Sequence, residues 1–179
     1  NGALPRAMKK IVNFGKNVAF TPAHVAYPTS AEALQRLVRQ AQKLRVMGSA
    51  HSWSRAIVTD QTLVSLDRMN RVLQVDEAGL RVTVQAGIKL KELIAALDRR
   101  GLALANLGSI AEQSIAGAIS TGTHGTGLAF PCLAAQVVGL RLVDGQGNDR
   151  ALQKGDPDFD AVVVGLGCFG VVYELTLSV

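Results

Sequence analysis

Two glycine-rich loops, each carrying one histidine, constrain this chain more than any other feature. The first is Gly48-Ser49-Ala50-His51-Ser52. The second runs from Asn106 through Gly108-Ser109 and Gln113-Ser114-Ile115-Ala116-Gly117-Ala118 to Ser120-Thr121-Gly122-Thr123-His124-Gly125-Thr126-Gly127. Lacking a Cβ, glycine lets backbone approach a ligand closely and turn its N–H groups outward. Successive outward N–H groups make a concavity that binds anions without Lys or Arg. Two such loops in 179 residues point to one large ligand with a pyrophosphate, held by backbone. His51 is then free for a role other than phosphate binding.

The stretch from Gln113 to Leu140 holds no Lys, Arg, Asp or Glu. Its Gly, Ser and Thr content and Pro131 argue against a membrane-spanning helix and fit backbone wrapped around a buried cofactor. The length suits one domain, or two small lobes sharing a core. Aromatic residues are 4% of the chain against 48% hydrophobic, so the core is built from Val, Leu, Ile and Ala. A net charge of +5 is spread out, with short clusters at Lys9-Lys10 and Arg99-Arg100. No basic stripe alternates with aromatics, which excludes nucleic acid as the expected partner; the basic excess reads as solubility. Cys132 and Cys168 lie far apart in apolar contexts and read as buried free thiols. That favours a reducing, cytoplasmic location, and no stretch reads as a signal peptide.

Residues 1–27 read as irregular, broken by Pro22 and Pro28 just beyond. Thr29 followed by Glu32 reads as a capping box before a helix over 30–44, with Leu34, Leu37, Val38, Ala41 and Leu44 at helical spacing. Val46-Met47 predicts a short strand running into the first loop. Strands are expected over 62–66, 71–75 and 80–84, the last with Leu80, Val82 and Val84 on one face. A helix over 90–100 stops at Gly101, and a short one is expected near 114–120. Residues 137–144 and 149–152 flank Gly145-Gln146-Gly147 as a hairpin. A short helix through Val164, a glycine turn over 165–170 and a final strand over 171–179 complete the chain. Helices mixed with several antiparallel hairpins favour an α+β fold over a doubly wound sheet.

Gly165, Gly167 and Gly170 match the spacing of a dinucleotide fingerprint, yet they precede a strand-like run instead of opening a helix. No Gly-Lys-Ser/Thr of a P-loop occurs. His24, His51 and His124 share no short ligand spacing and have no carboxylate beside them, so no metal site is expected. The Gly-x-Ser-x-Gly context of a hydrolase nucleophile is absent.

The two loops, together with Leu66-Asp67-Arg68-Met69-Asn70-Arg71-Val72, resemble the flavin-binding domain of the vanillyl-alcohol-oxidase-type (PCMH-type) flavoproteins. Within them the chain is most similar to the aldonolactone oxidases (gulonolactone and arabinonolactone oxidases) and the related alditol oxidases. The resemblance runs from about Pro22 to Val179. It implies an α+β fold of two α/β subdomains, roughly 22–100 and 101–179, with FAD between them. It implies that His51 is bonded through a ring nitrogen to the 8α carbon of the flavin, a role that suits a neutral imidazole. Met47, Gly48, Ser49, Ala50, His51 and Ser52 would surround the pyrophosphate and ribityl chain. Ser109, Ser114, Ile115, Ala116, Gly117, Thr121, Gly122, Thr123 and His124 would hydrogen-bond the cofactor. Gly170, Val171 and Val172 would approach it by backbone. The alternative for Ser114, Thr121 and Thr123 is that of ordinary turn hydroxyls.

Gly108 leaves space where dehydrogenase relatives carry a side chain, which points to an oxidase; its alternative is a position that needs positive φ. Ser109 is similar to a position that faces substrate in the alditol oxidases. Relatives that attach flavin twice use a cysteine in the second loop. Thr121-Gly122-Thr123-His124 has none, so a single attachment is expected. The function implied is oxidation of a sugar lactone or polyol hydroxyl by O2, with H2O2 as product. The substrate's proton acceptor is expected in a C-terminal cap domain outside this sequence, so these residues alone are expected to bind FAD but turn over poorly. The alternative is a flavin-binding electron-transfer or assembly module whose substrate site lies on a separate chain.

Overall fold

A computed structural model describes residues 9–179; the expectation of irregular chain over 1–27 falls partly on 1–8, outside the described residues. Within 9–27 the chain is more ordered than expected. β1 (Ile11–Val12) and β2 (Ala19–Phe20) form a small antiparallel hairpin, and β3 (His24–Ala26) begins a sheet. Strands this short lack a visible period, which is why alternation did not reveal them.

α1 (Ala31–Gln40) is capped by Ser30, whose Oγ accepts the Ala33 N–H at 3.2 Å. Ser30, rather than Thr29, therefore satisfies the first turn. The helix buries Leu34 completely. It ends before Ala41 and Leu44, because β4 (Leu44–Met47) pairs in parallel with β5 (Thr62–Ser65) from Leu44 onward. Strand pairing there overrides the helical spacing. β3 also pairs in parallel with β5, giving a three-stranded sheet ordered β3-β5-β4.

Parallel neighbours need a crossover connection. α1 supplies one, between β3 and β4. The other, between β4 and β5, is the first glycine loop and the segment after it. This topology puts His51 at the carboxyl end of β4 and Leu66-Asp67 at the carboxyl end of β5, the edge where ligands of parallel sheets bind.

The second sheet is antiparallel, and all five strands follow β5 in sequence. β6 (Val72–Asp76) and β7 (Arg81–Gln85) form a hairpin, α2 (Leu90–Asp98) and α3 (Ile115–Ser120) follow, and β8 (Val137–Val143) and β9 (Asp149–Gln153) form a second hairpin. After α4 (Phe159–Val163), β10 (Val171–Ser178) enters the middle, giving the order β6-β7-β10-β8-β9. Alternation explains its place: Val171, Tyr173, Leu175 and Leu177 are all buried, and each such side chain contributes about 1.5–3 kcal/mol. Leu80 does not join the Val82–Val84 face. It lies in the β6–β7 turn at φ +49 and is 52% exposed. Gly101 ends the α2 segment at φ +66, as a helix stop requires.

The sheets divide the chain after β5, since β7 pairs with β10 over Gln85–Arg81. One apolar core nonetheless joins both sheets, running from Leu34 and Val64 through Leu93 and Ile119 to Leu175. Gln35 and Arg39 of α1 tie the layers further, both donating to the Gly147 carbonyl, at 3.2 and 2.8 Å. The cysteines are free, but Cys168 is exposed and Cys132 only partly covered, so the expected burial fails. The turn at 165–170 packs Phe169 beside Gly165 and turns the Cys168 side chain outward.

Candidate functional site

A cavity of about 300 Å³, within the range of ligand pockets, opens where the parallel sheet's carboxyl edge meets the start of β10. Three segments expected to share one ligand line it together: Met47 to Ser52, then Ser114, Ala116, Gly117 and Thr121, and finally Gly170, Val171 and Val172. Among the described residues no Lys or Arg lines it, and Asp67 is the single carboxylate on its wall.

The loops touch because Gly48 has no side chain where the Ser114 hydroxyl crosses it. A Cβ on Gly48 would collide with Ser114 Oγ and reach Ser114 Cβ at 3.5 Å. Ser114 is buried and accepts the Gly117 N–H at 3.4 Å, capping α3. Ala50 adopts φ +54, rare for a residue with a side chain. The turn so formed leaves the N–H groups of Ser49, Ala50, His51 and Ser52 with no acceptor among the described residues. These four donors remain available to a ligand.

The second loop differs from expectation. Its backbone donors at the cavity are already used: Ile115 N–H donates to Ile88 O at 2.9 Å and Ala116 N–H to Ala86 O at 3.1 Å. Ile115 is fully buried, facing the core. Gly108, Ser109, Gly122, Thr123 and His124 do not line the cavity. Ser109 and His124 are exposed, and His124 Nδ1 lies 2.9 Å from the neighbouring Gly125 carbonyl. Thr123 Oγ1 accepts from Gln113 at 3.3 Å, and a Cβ on Gly108 would press the Thr123 methyl at 3.1 Å. Gly108 has no positive φ, so close packing, and not an unusual dihedral, is what glycine serves there. These residues brace one another beside the site.

His51 lines the cavity, and its Nδ1 is buried with no hydrogen-bond partner among the described residues. A buried, unpaired ring nitrogen carries a cost, and a bond to a ligand would remove it. Phe14 stacks on the imidazole, with centroids 4.6 Å apart and planes 14° from parallel.

Several lining residues escaped sequence reasoning. Ala86 and Gly87 follow β7 and form part of the wall. A Cβ on Gly87 would lie 2.6 Å from the Leu66 carbonyl carbon and 2.8 Å from Met69 O. A glycine between a strand and a helix is a signal of such close approach. Leu66 and Asp67 line the cavity too, though they counted only as part of the resemblance. Lys89, at the start of α2, donates to Ser49 Oγ at 2.9 Å and pairs with Asp67 at 3.2 Å. No spacing rule links Lys89 to residues 22 and 40 positions away. The Gly165-Gly167-Gly170 spacing lies between α4 and β10, so it opens no helix; Gly167 and Gly170 still reach the cavity wall.

No group of three or more His, Cys, Asp or Glu side chains that could hold a metal ion occurs among the described residues. None of the described helices is long and apolar enough to cross a membrane.

Comparison with known proteins agrees with this geometry. The family described as FAD binding domain matches residues 22–151. L-gulonolactone oxidase from Mus musculus is 40% identical over 172 residues, covering 93% of this chain and 39% of that protein. L-gulono-1,4-lactone dehydrogenase from Mycobacterium tuberculosis is 41% identical over 161 residues, covering 88% and 37%. The chain thus spans about two fifths of the length of these relatives. A solved structure of cholesterol oxidase from Brevibacterium sterolicum superposes with a TM-score of 0.86 at 21% identity, covering 96% of this chain and 37% of the other. The mixed α and β architecture expected from the sequence is therefore the PCMH-type FAD-binding fold, and the chain belongs to the FAD-binding domain family.

Proposed function

We propose that this chain is the FAD-binding part of an oxidoreductase that oxidises a hydroxyl of a sugar lactone or polyol and passes the electrons to O2, giving H2O2. The observation that carries the reading is the cavity itself: His51, the residues 49–52 whose backbone N–H groups have no acceptor among the described residues, and the start of β10 line a single space. The relatives are named for lactone substrates and hold the matching segment inside one longer chain. That does not favour a separate electron-transfer module.

When bound, FAD would supply the redox chemistry, taking a hydride from the substrate's carbinol carbon and yielding two electrons to O2. The chain's own residues bind and orient. The N–H groups of residues 49–52 would receive the pyrophosphate, with Lys89 behind Ser49 adding positive charge nearby. Ser114 and Thr121 would present hydroxyls to the rim, and Gly170 to Val172 would close the far side by backbone. A ring nitrogen of His51 would bond to the 8α carbon. Attachment would cost the imidazole one proton and the methyl group another, with O2 as the two-electron oxidant.

Gly108 favours an oxidase in this reading, since it adds no side chain beside the site. Among the described residues the wall offers no carboxylate free to act as base for the substrate hydroxyl: Asp67 is tied to Lys89. A base supplied outside these residues would explain poor turnover by the chain alone. The two free cysteines support placing the protein in the cytoplasm.

Anaerobic mixing of the FAD-loaded full protein with L-gulono-1,4-lactone tests this. The visible flavin absorbance bleaches, and air restores it with formation of H2O2. Flavin that stays oxidised with sugar lactones and polyols overturns the substrate class. Bleached flavin that air fails to restore overturns O2 as acceptor.

A further inference from the structure

We propose that the β1–β2 hairpin is a clamp that fixes the orientation of the His51 imidazole before any cofactor arrives, with Phe14 as the positioning residue. The proposal rests on the reading of His51 as the attachment point. The hairpin belongs to neither larger sheet. Two-residue strands are marginal on their own, so the hairpin must be held by what it touches, and what it touches is the histidine loop.

Contacts bracket His51 on both sides in sequence. The Phe14 N–H donates to Ala50 O at 2.8 Å, immediately before it. Asn13 Nδ2 donates to Ser52 O at 3.0 Å, immediately after it. Asn17 Nδ2 donates to Trp53 O at 3.0 Å. Gly15 lies on the Trp53 indole, where a Cβ would sit 3.1 Å from the ring. Asn13 is itself fixed: it is 3% exposed, and its Oδ1 accepts the Val18 N–H at 2.9 Å. The Phe14–Ala50 bond also secures the carbonyl of a residue whose left-handed backbone is unfavourable for alanine.

Phe14 is the informative member. It stacks on the His51 ring yet remains 62% exposed. An aromatic side chain placed for burial would be covered. This one covers a face of the imidazole and contributes little to the core. Bond formation from a ring nitrogen requires its in-plane lone pair to point at the carbon. Fixing the ring plane removes a rotational search from that step.

The test compares Phe14→Ala and Phe14→Tyr with the parent in the full protein. After FAD is added to apo-protein, three quantities are followed: the rate at which flavin becomes acid-stable, the affinity for FAD before attachment, and the thermal midpoint. The His51 Cε1–H resonance is recorded without FAD. In Phe14→Ala, attachment slows about tenfold while affinity and midpoint stay near parental values, and the resonance moves downfield as the ring current is lost. Phe14→Tyr restores both the rate and the resonance. Attachment at the parental rate in Phe14→Ala overturns the clamp, as does slowing matched by an equal loss of affinity or stability. If the parent binds FAD but never forms acid-stable flavin, the attachment reading fails instead. The clamp is then decided by the resonance: an unchanged signal in Phe14→Ala overturns it, and a downfield shift upholds it.

Discussion

Gly87→Ala should damage this protein more than any other glycine-to-alanine change that keeps φ ordinary. The new Cβ would sit 2.6 Å from the Leu66 carbonyl carbon and 2.8 Å from Met69 O, with Leu66 O nearer still. Ordinary carbon contacts begin at about 3.5 Å, so backbone must retreat by roughly 1 Å. The obstructing atoms are main chain and already engaged. Met69 N–H donates to Leu66 O at 2.7 Å, Gly87 N–H donates to Met69 O at 2.9 Å, and Ala86 N–H donates to Tyr173 O at 2.8 Å. Overpacking costs about 1–3 kcal/mol, and losing the Gly87–Met69 bond adds about 1 kcal/mol. Reduced freedom of the unfolded chain returns about 0.4–1 kcal/mol. The net loss is about 1–3.6 kcal/mol, a fall of roughly 2–14 °C in thermal midpoint for a chain of this length. Gly145→Ala is the control, since nothing lies within 4 Å of its Cβ. Calorimetry of both variants, with FAD titration by fluorescence quenching, checks the argument. Gly145→Ala should match the parent or exceed it by about 0.4–1 kcal/mol, while Gly87→Ala should lose stability and FAD affinity together, because Leu66 and Gly87 form one wall of the cavity. A Gly87→Ala protein with the parental midpoint would refute the reasoning.

Ser114→Ala removes the cap of α3 and should cost about 1 kcal/mol, a fall of roughly 2–4 °C, with weaker FAD binding; an unchanged midpoint would show that the cap carries no weight. Burial, reinforced by the 2.9 Å bond to Asp149, raises the Tyr173 hydroxyl well above its ordinary value of 10.0. A folded state that holds this proton more tightly than the unfolded chain keeps the contribution in full below the unfolded value and loses it as pH rises from there towards the folded value. Urea midpoints from pH 8 to 11 should therefore fall more steeply in the parent than in Tyr173→Phe; parallel curves would contradict the assignment.

Much of the fold was legible because its longer elements carry a clean period. The alternation of β10 and the apolar stripe of α1 each name the buried face, and residues Gly145 to Gly147 mark their turn. Two kinds of feature stayed hidden. The β1–β2 hairpin is too short for a pattern, and its glycine and asparagines look like loop residues until the carbonyls they serve are seen. The end of α1 and the start of β7 moved because the pairing of β4 with β5 and the Leu80 turn set those boundaries, which helical or alternating spacing alone does not show. Within the site, Gly48 and His51 marked the first loop in the sequence. In the second loop the glycines serve packing at Gly108 and a turn at Gly122, and the donors at Ile115 and Ala116 are spent on the β7–α2 connection, none of which local spacing reveals. Lys89 could not have been found, because its partners lie on two other segments.

The central claim is that FAD lies between the two loops, tethered at His51. Intact mass and visible absorbance of the purified protein, before and after acid denaturation, test it most directly, followed by mapping of the flavin peptide. The account predicts a mass increase of one FAD less two hydrogen atoms, yellow colour that survives acid, and modification of the peptide containing His51, all lost in His51→Ala. Colour fully released by acid, or flavin attached to any other residue, would contradict it.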